Sequence, residues 1–222
     1  TPDVLTEATA ELAFALMMAA ARRLPEGEAL VRSGRWEGWR LDQLLGVQLL
    51  GKTLGIIGMG RIGQAMARRA VGFGMTVIYA GGRGEHRRVE LDELFREADV
   101  ISLHCPLTPE TRHIVNARTL ALVKPSAIIV NTARGEHIDE GALLEALAQR
   151  RIFGAGLDVF EGEPRVDARL RADPRLVLAP HIGSATTEAR TSMAQLCADA
   201  VIAVLSGRRP GNLVNREVVL RG

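Results

Sequence analysis

The stretch Thr53-Leu54-Gly55-Ile56-Ile57-Gly58-Met59-Gly60-Arg61-Ile62-Gly63 decides how this sequence is read. An apolar run over Thr53–Ile57 passes straight into Gly-x-Gly-x-x-Gly and then into a helical run over Ile62–Val71. In that context each glycine has its own duty. Gly58 permits the tight turn, Gly60 lets the backbone approach a pyrophosphate, and Gly63 lets the helix sit close to the strand. The free N–H groups at the helix start, around Arg61 and Ile62, attract the anion, and the Arg61 guanidinium can add a charge-assisted contact. A glycine turn needed only for packing is the alternative. Strand, turn, helix and second strand fall in register here, which selects dinucleotide binding.

Outward from this turn the rhythm repeats. Met75–Tyr79, Val100–Leu103, Ala127–Val130, Gly154–Leu157 and Leu176–Leu178 read as strands, and Leu91–Glu97, Ala117–Leu122, Asp139–Arg150 and Thr187–Leu205 read as helices. The strands are continuous apolar runs without alternation, so both faces are covered, which calls for a parallel sheet between two helix layers. The fold class is therefore α/β, a doubly wound parallel sheet of the Rossmann type. Ahead of it, Thr6–Arg23 is a helix closed by Pro25. Pro25–Gly51 reads as a short helix and an extended arm, whose Trp36 and Trp39 must be buried against something. Residues 52–185 make up the dinucleotide-binding unit. The flanks, 1–51 and 186–222, serve a second lobe or a subunit contact.

Composition narrows the class. The 222 residues are 47% hydrophobic and 24% charged, with 28 basic and 26 acidic side chains and a net charge of +2. That is the profile of a globular α/β protein, and no basic block suggests nucleic acid as a partner. Leu12–Ala21 is too short to span a bilayer, and no secretory signal pattern precedes it. Cys105 and Cys197 match no metal-ligand spacing, so we expect no metal, two reduced thiols and a cytoplasmic location.

The second strand bears on which dinucleotide binds. An acidic residue at its end, about 20 residues after the glycine turn, holds the ribose 2′-hydroxyl of NAD. Here the chain reads Ala80-Gly81-Gly82-Arg83-Gly84, followed by Arg87 and Arg88. The missing carboxylate removes repulsion of a 2′-phosphate and Arg83 offers a forked donor, so NADP(H) is expected, with NAD(H) the alternative. A solvated basic loop carrying Glu85 would produce the same pattern.

Three further segments fall at strand ends, where such folds collect ligands: Asn131-Thr132-Ala133-Arg134-Gly135, Leu157–Pro164 and Ala179–Ser184. Reducing a 2-oxo acid needs a cation for the carboxylate, a proton donor for the developing alkoxide and a hydride beside the carbonyl. Arg134, His181 and a nicotinamide would meet those needs, with Glu163 the candidate carboxylate to hold the histidine tautomer. Singly, each could equally be a surface arginine, a loop glutamate or a structural histidine.

Together, Gly58–Gly63, Asn131–Gly135, Gly156–Pro164, Pro180–Ser184 and the opening Thr1–Glu11 resemble the D-isomer-specific 2-hydroxyacid dehydrogenase family, over nearly the whole chain, and within it the glyoxylate/hydroxypyruvate reductases. The resemblance implies that Arg134 binds the substrate carboxylate, that His181 is the acid/base and that Glu163 is its partner. It also implies that Asp158 meets the nicotinamide carboxamide together with backbone near Thr132 and Gly183, that Pro106 borders the cofactor and that Ser184 lies beside the substrate. The Trp36/Trp39 arm is similar to the family's dimerisation segment, implying a homodimer. The Gly81-Gly82-Arg83 turn is similar to that of NADP-using members.

Members carry a further segment before the equivalent of Thr1, forming most of a substrate lobe, so the 222 residues alone are expected to show little or no turnover. Two other readings stand beside the reductase: an NAD-linked enzyme for phosphoglycerate or D-lactate, and a dinucleotide-sensing protein similar to a corepressor family of the same fold.

Overall fold

The computed structural model describes residues 3–215 and 217. Thr1 and Pro2 of the resembling N-terminal stretch, and the end of the 186–222 tail, lie outside the described residues.

Seven strands form one sheet: β1 (Thr53–Met59), β2 (Thr76–Gly82), β3 (Arg87–Arg88), β4 (Val100–Leu103), β5 (Ile128–Asn131), β6 (Gly154–Leu157) and β7 (Leu176–Leu178). Their spatial order is β3-β2-β1-β4-β5-β6-β7 and every pairing is parallel. The helices are α1 (Thr6–Ala21), α2 (Leu24–Arg32), α3 (Arg61–Gly72), α4 (Leu91–Glu97), α5 (Ala117–Leu120), α6 (Glu140–Ala148), α7 (Ala168–Ala172) and α8 (Thr187–Leu205). β4, β5 and β6 are buried at every position, as strands covered on both faces must be. One core layer gathers Leu94, Phe95, Ile101, Leu143 and Leu147, and the other gathers Leu16, Met17, Ile56, Met66 and Val130.

The first helix belongs to this core. α1 lies on β5, β6 and β7 and beside α3. Glycine in β6 makes that possible, because a Cβ on Gly156 would come within 2.7 Å of Leu16 Cβ. The order of the strands reverses beside β1, with β2 on one side and β4 on the other. In an open sheet of this kind the crevice for ligands lies there, at the carboxyl ends of the strands.

The structure departs from the sequence reading in four places. Pro25 does not close α1; it stands in the first turn of α2, where its missing N–H loses no bond, and the chain reverses at Arg23 with φ +52°. Gly81 and Gly82 are not loop but the end of β2, at φ +74° and +85°. β3 has only two residues, both exposed arginines, too short for any hydrophobic pattern. Trp36 and Trp39 are 53% and 80% exposed, so the chain itself does not bury them. On α8 only Ala189 is buried. Among the described residues no helix is long and apolar enough to cross a membrane.

Candidate active site

The glycine turn joins β1 to α3, and its geometry separates the three glycines. Gly58 has φ +98°, and a Cβ there would lie 2.5 Å from Cys105 N. Only glycine fits, because the turn is pressed against the start of the loop after β4. A Cβ on Gly63 would lie 2.4 Å from Gly58 O, so α3 could not approach the turn with a larger residue. Gly60 differs from both: its backbone is extended and a Cβ would meet nothing within 4 Å. It is the N-cap of α3 and no side chain caps that helix. The first amides of the helix therefore face open space with a partial positive charge.

Arg61 does not reach across this opening. Its Nη1 lies 2.6 Å from Asp3 Oδ1, both side chains being exposed, so the backbone amides are left as the anion-facing groups. At the end of β2, Gly82 is packed on Met59, whose O a Cβ would approach to 2.7 Å. Arg83 is exposed, held by its backbone: its N–H donates to Met59 O at 3.3 Å and its carbonyl accepts from Gln64 Nε2 at 3.1 Å. Arg87 is engaged by Glu93 and Glu97. Arg88 instead lines a cleft of about 550 Å³ together with Gly58, Gly60, Gly81, Gly82 and Pro106.

A second cleft, about 650 Å³, shares His104, Cys105 and Pro106 with the first. Ile62, Thr132, Arg134, Asp158, His181, Gly183 and Ser184 also line it. Most of the residues singled out in the sequence are thus brought to one pair of adjoining clefts across the switch point.

Arg134 follows β5 on a turn fixed by buried Asn131, whose Oδ1 accepts from Ala133 N–H at 3.0 Å and whose Nδ2 donates to Arg134 O at 2.8 Å. The guanidinium is exposed; its Nη1 donates to Ala133 O at 2.6 Å, and it makes no ion pair among the described residues. His181 follows β7 in the left-handed region, φ +56°. Asp158 holds that conformation with three bonds: its carbonyl accepts from His181 N–H, and its two carboxylate oxygens accept from Ile182 N–H and Gly183 N–H, each at 2.8 Å. Both oxygens of Asp158 are therefore already engaged by backbone, and its first duty is to shape the His181 turn. Burial pushes the Asp158 carboxyl above its ordinary value, against the pull of those two amides and of His181.

Glu163 is not in the cleft wall, but it grips the histidine from behind. Its Oε2 lies 2.8 Å from His181 Nδ1, and its Oε1 accepts from Phe160 N–H at 3.0 Å. With Nδ1 facing a carboxylate, that nitrogen carries the proton and Nε2 is left for another partner. Burial alone would push the Glu163 carboxyl up; the bonds from His181 and Phe160 and the charges of His181 and Arg134 outweigh it and hold the group below its ordinary value.

Sequence reasoning passed over two neighbours of Pro106. His104 accepts or donates a 2.8 Å bond with Ser102 Oγ, and burial pushes its imidazole down to about 4. The same effect raises the Cys105 thiol to about 11. Their position directly after a buried strand was the available signal. Thr132 Oγ1, in the wall of the second cleft, is buried without a hydrogen-bond partner. An orphaned hydroxyl is costly, and together with the open approach at Gly60 it fits a dinucleotide lying along both clefts. Among the described residues no His, Cys, Asp and Glu side chains cluster as a metal site would require.

Known proteins match this arrangement. The family model for the D-isomer specific 2-hydroxyacid dehydrogenase NAD binding domain matches residues 14–183. The chain is 51% identical to a glyoxylate reductase of Thermococcus litoralis, over 99% of this chain and 70% of that protein. An NADPH-dependent glyoxylate/hydroxypyruvate reductase of Sinorhizobium meliloti, solved in complex with NADP and malonate, superposes with TM-score 0.91 at 36% identity, covering 100% of this chain and 71% of that one. A D-lactate dehydrogenase of Lactobacillus jensenii, solved with NAD+, superposes with TM-score 0.86 at 30% identity over 97% of this chain and 71% of that one.

Proposed function

Because this chain belongs to the D-isomer-specific 2-hydroxyacid dehydrogenase family, we propose that it is an oxidoreductase moving a hydride between NADP(H) and a small 2-oxo or D-2-hydroxy acid, with glyoxylate or hydroxypyruvate the substrate reduced. The observation that carries this reading is the Glu163–His181 pair, 2.8 Å apart, beside an exposed and unpaired Arg134 on a cleft that adjoins the glycine turn. When bound, the reduced nicotinamide supplies the hydride.

The protein's own groups do the rest. Arg134 takes the substrate carboxylate with its fork of N–H donors. His181 acts in its imidazolium form: with Nδ1–H held by Glu163 it presents Nε2–H to the carbonyl oxygen, gives up that proton as the alkoxide develops, and is left neutral with its hydrogen on Nδ1. Ser184 borders the substrate. Backbone at Gly58, Gly60, Ile62 and Gly63 cradles the pyrophosphate. Gly81, Gly82 and Arg83, with Arg88, receive the adenosine ribose and its 2′-phosphate, while Pro106, Thr132, Asp158 and Gly183 border the nicotinamide. NADP(H) is supported by the absence of a carboxylate at the end of β2 and by the unengaged Arg83 and Arg88. Asp158 meets the carboxamide with the lone pairs its backbone bonds leave over.

The dinucleotide-binding unit is 52–185 with α1 packed upon it. The exposed Trp36/Trp39 arm in 1–51 supports a homodimer, and α8 at the start of 186–222 supports contact with a substrate lobe. The free cysteines, Cys105 and Cys197, support a reducing compartment, the cytoplasm. The 222 residues match 70% of the length of the Thermococcus litoralis relative, and by themselves we expect them to bind dinucleotide and turn over slowly.

Cofactor titrations and a rate test this reading. NADPH should bind at least about tenfold more tightly than NADH, from one charge-assisted contact to the 2′-phosphate. His181→Gln should lower glyoxylate reduction by about 10²–10⁴-fold with NADPH affinity within about twofold. Equal affinities would sink the cofactor assignment, and an unimpaired His181→Gln would sink the catalytic one.

A further inference from the structure

Arg134 has a second anchor that none of these roles uses. Its carbonyl accepts from Asn131 Nδ2 at 2.8 Å, from His137 Nδ1 at 3.0 Å and from the His137 backbone N–H at 3.2 Å. His137 is wholly buried, in the 3₁₀ turn Gly135–His137. The far side of its ring faces the wall shared by the two clefts: Nε2 lies 3.5 Å from Cys105 Sγ and 3.4 Å from Pro106 O.

The chemistry of the ring assigns the protons. Nδ1 makes the closer approach to a carbonyl, 3.0 Å from Arg134 O against 3.4 Å from Pro106 O for Nε2, so Nδ1 carries the hydrogen. In that tautomer Nε2 is the acceptor and its partner is the Cys105 thiol, which burial keeps protonated with a value of about 11, while the approach to Pro106 O carries no hydrogen. A buried imidazole bonded at both ends resists rotation, whereas the long, exposed Arg134 side chain is tied only to the carbonyl of the adjacent Ala133, on the same turn of backbone. Where the guanidinium can reach is set by where its backbone is held, and substrate recognition tolerates an error of only about 0.5 Å.

We propose that His137 is a positioning residue, a buried strut between the Cys105–Pro106 turn after β4 and the Arg134 carbonyl after β5, which fixes the backbone from which Arg134 meets a carboxylate. The inference rests on the role given to Arg134 above.

The test separates the two ends of the ring. An asparagine amide can replace Nδ1, and a glutamine amide can replace Nε2. Malonate, a dicarboxylate probe, is titrated into the NADP+-loaded chain and followed at the Arg134 Nε–H and His181 ring resonances, with melting temperature and NADP+ affinity measured alongside.

His137→Asn should keep malonate affinity within about twofold. His137→Gln and His137→Leu should weaken it about five- to tenfold, the effect of one hydrogen bond, with NADP+ affinity within about twofold in all three. Should the leucine variant fail to fold, the asparagine and glutamine pair still decides. Malonate affinity unchanged in His137→Gln overturns the proposal, as does an equal loss in the asparagine and glutamine variants or an equal loss of NADP+ affinity. Arg134→Gln marks the other failure: if it binds malonate as tightly as the unsubstituted chain, the role of Arg134 falls, and with it the strut.

Discussion

Gly60→Ala should leave the empty protein untouched and still cripple its grip on the dinucleotide. The backbone at Gly60 is extended, φ −89° and ψ −162°, and the added methyl would have no neighbour within 4 Å, so neither strain nor overlap arises. Replacing glycine restricts the unfolded chain and stabilises by about 0.4–1 kcal/mol. Against that, alanine is a poorer N-cap by about 0.5–1 kcal/mol. The two nearly cancel, and a net change within about 0.5 kcal/mol moves Tm by only about 2 °C in a domain of this size.

The bound state differs because the methyl occupies the space through which a diphosphate would approach the α3 amides. Losing one charge-assisted hydrogen bond costs about 1.5–3 kcal/mol, or about 10–150-fold in NADPH affinity. Thermal melting of the cofactor-free protein and a fluorescence titration with NADPH measure the two quantities. Gly63→Ala is the contrasting control. Its methyl would stand 2.4 Å from Gly58 O, so overpacking of about 1–3 kcal/mol should lower Tm before any cofactor is added. A Gly60→Ala protein that melts more than about 4 °C lower, or binds NADPH within about threefold of the original, would refute this division of labour.

Two further outcomes follow from half-buried His104 and buried Asp158. His104 has its imidazole pushed down from 6.5 to about 4, so between those values the unfolded chain takes up a proton that the folded chain refuses. Stability should therefore fall by roughly 3 kcal/mol as pH drops from about 6.5 to about 4 and level off below. Urea midpoints at intervals across that range should slope less in His104→Gln, and identical slopes would remove the imidazole as the cause. Asp158→Asn is nearly isosteric but presents an amide N–H to Ile182 N–H or Gly183 N–H, losing one of two carboxylate bonds. It should destabilise by about 2 kcal/mol and impair turnover through the His181 turn. Unchanged melting would show that these bonds do not hold that turn.

Much of the fold was legible because burial on both faces writes itself into a sequence. Val100–Leu103, Gly154–Leu157 and Leu176–Leu178 were readable to the residue as apolar runs, and Thr186, which accepts from Ala189 N–H, marks the start of α8. The proposed trio Arg134, Glu163 and His181 was legible through the segments that follow strand ends and through the family resemblance. What escaped was set by contacts between distant segments. Nothing near Arg61 announces Asp3, and nothing in Leu157–Pro164 says that both oxygens of Asp158 will be taken by the amides after His181. His137, between Glu136 and Ile138, carries no periodic or motif signal, and only the approach of the turns after β4 and β5 gives its ring two partners. Pro25 misled because proline tolerates the first turn of one helix as well as the end of another. Trp36 and Trp39 were expected to find cover and are bare within this chain.

The seat of α1 on β6 has a consequence for how the protein is made. Leu16 reaches the surface that Gly156 keeps clear only after a ribosome has added about 140 more residues, which takes roughly 7 to 30 s at ordinary translation speeds. Until then a helix whose Ala13, Leu16, Met17 and Ala20 are destined for the interior has no sheet to lie on. Throughout that interval the apolar face of α1 stays uncovered, so this half of the interior cannot close before β6 has been made.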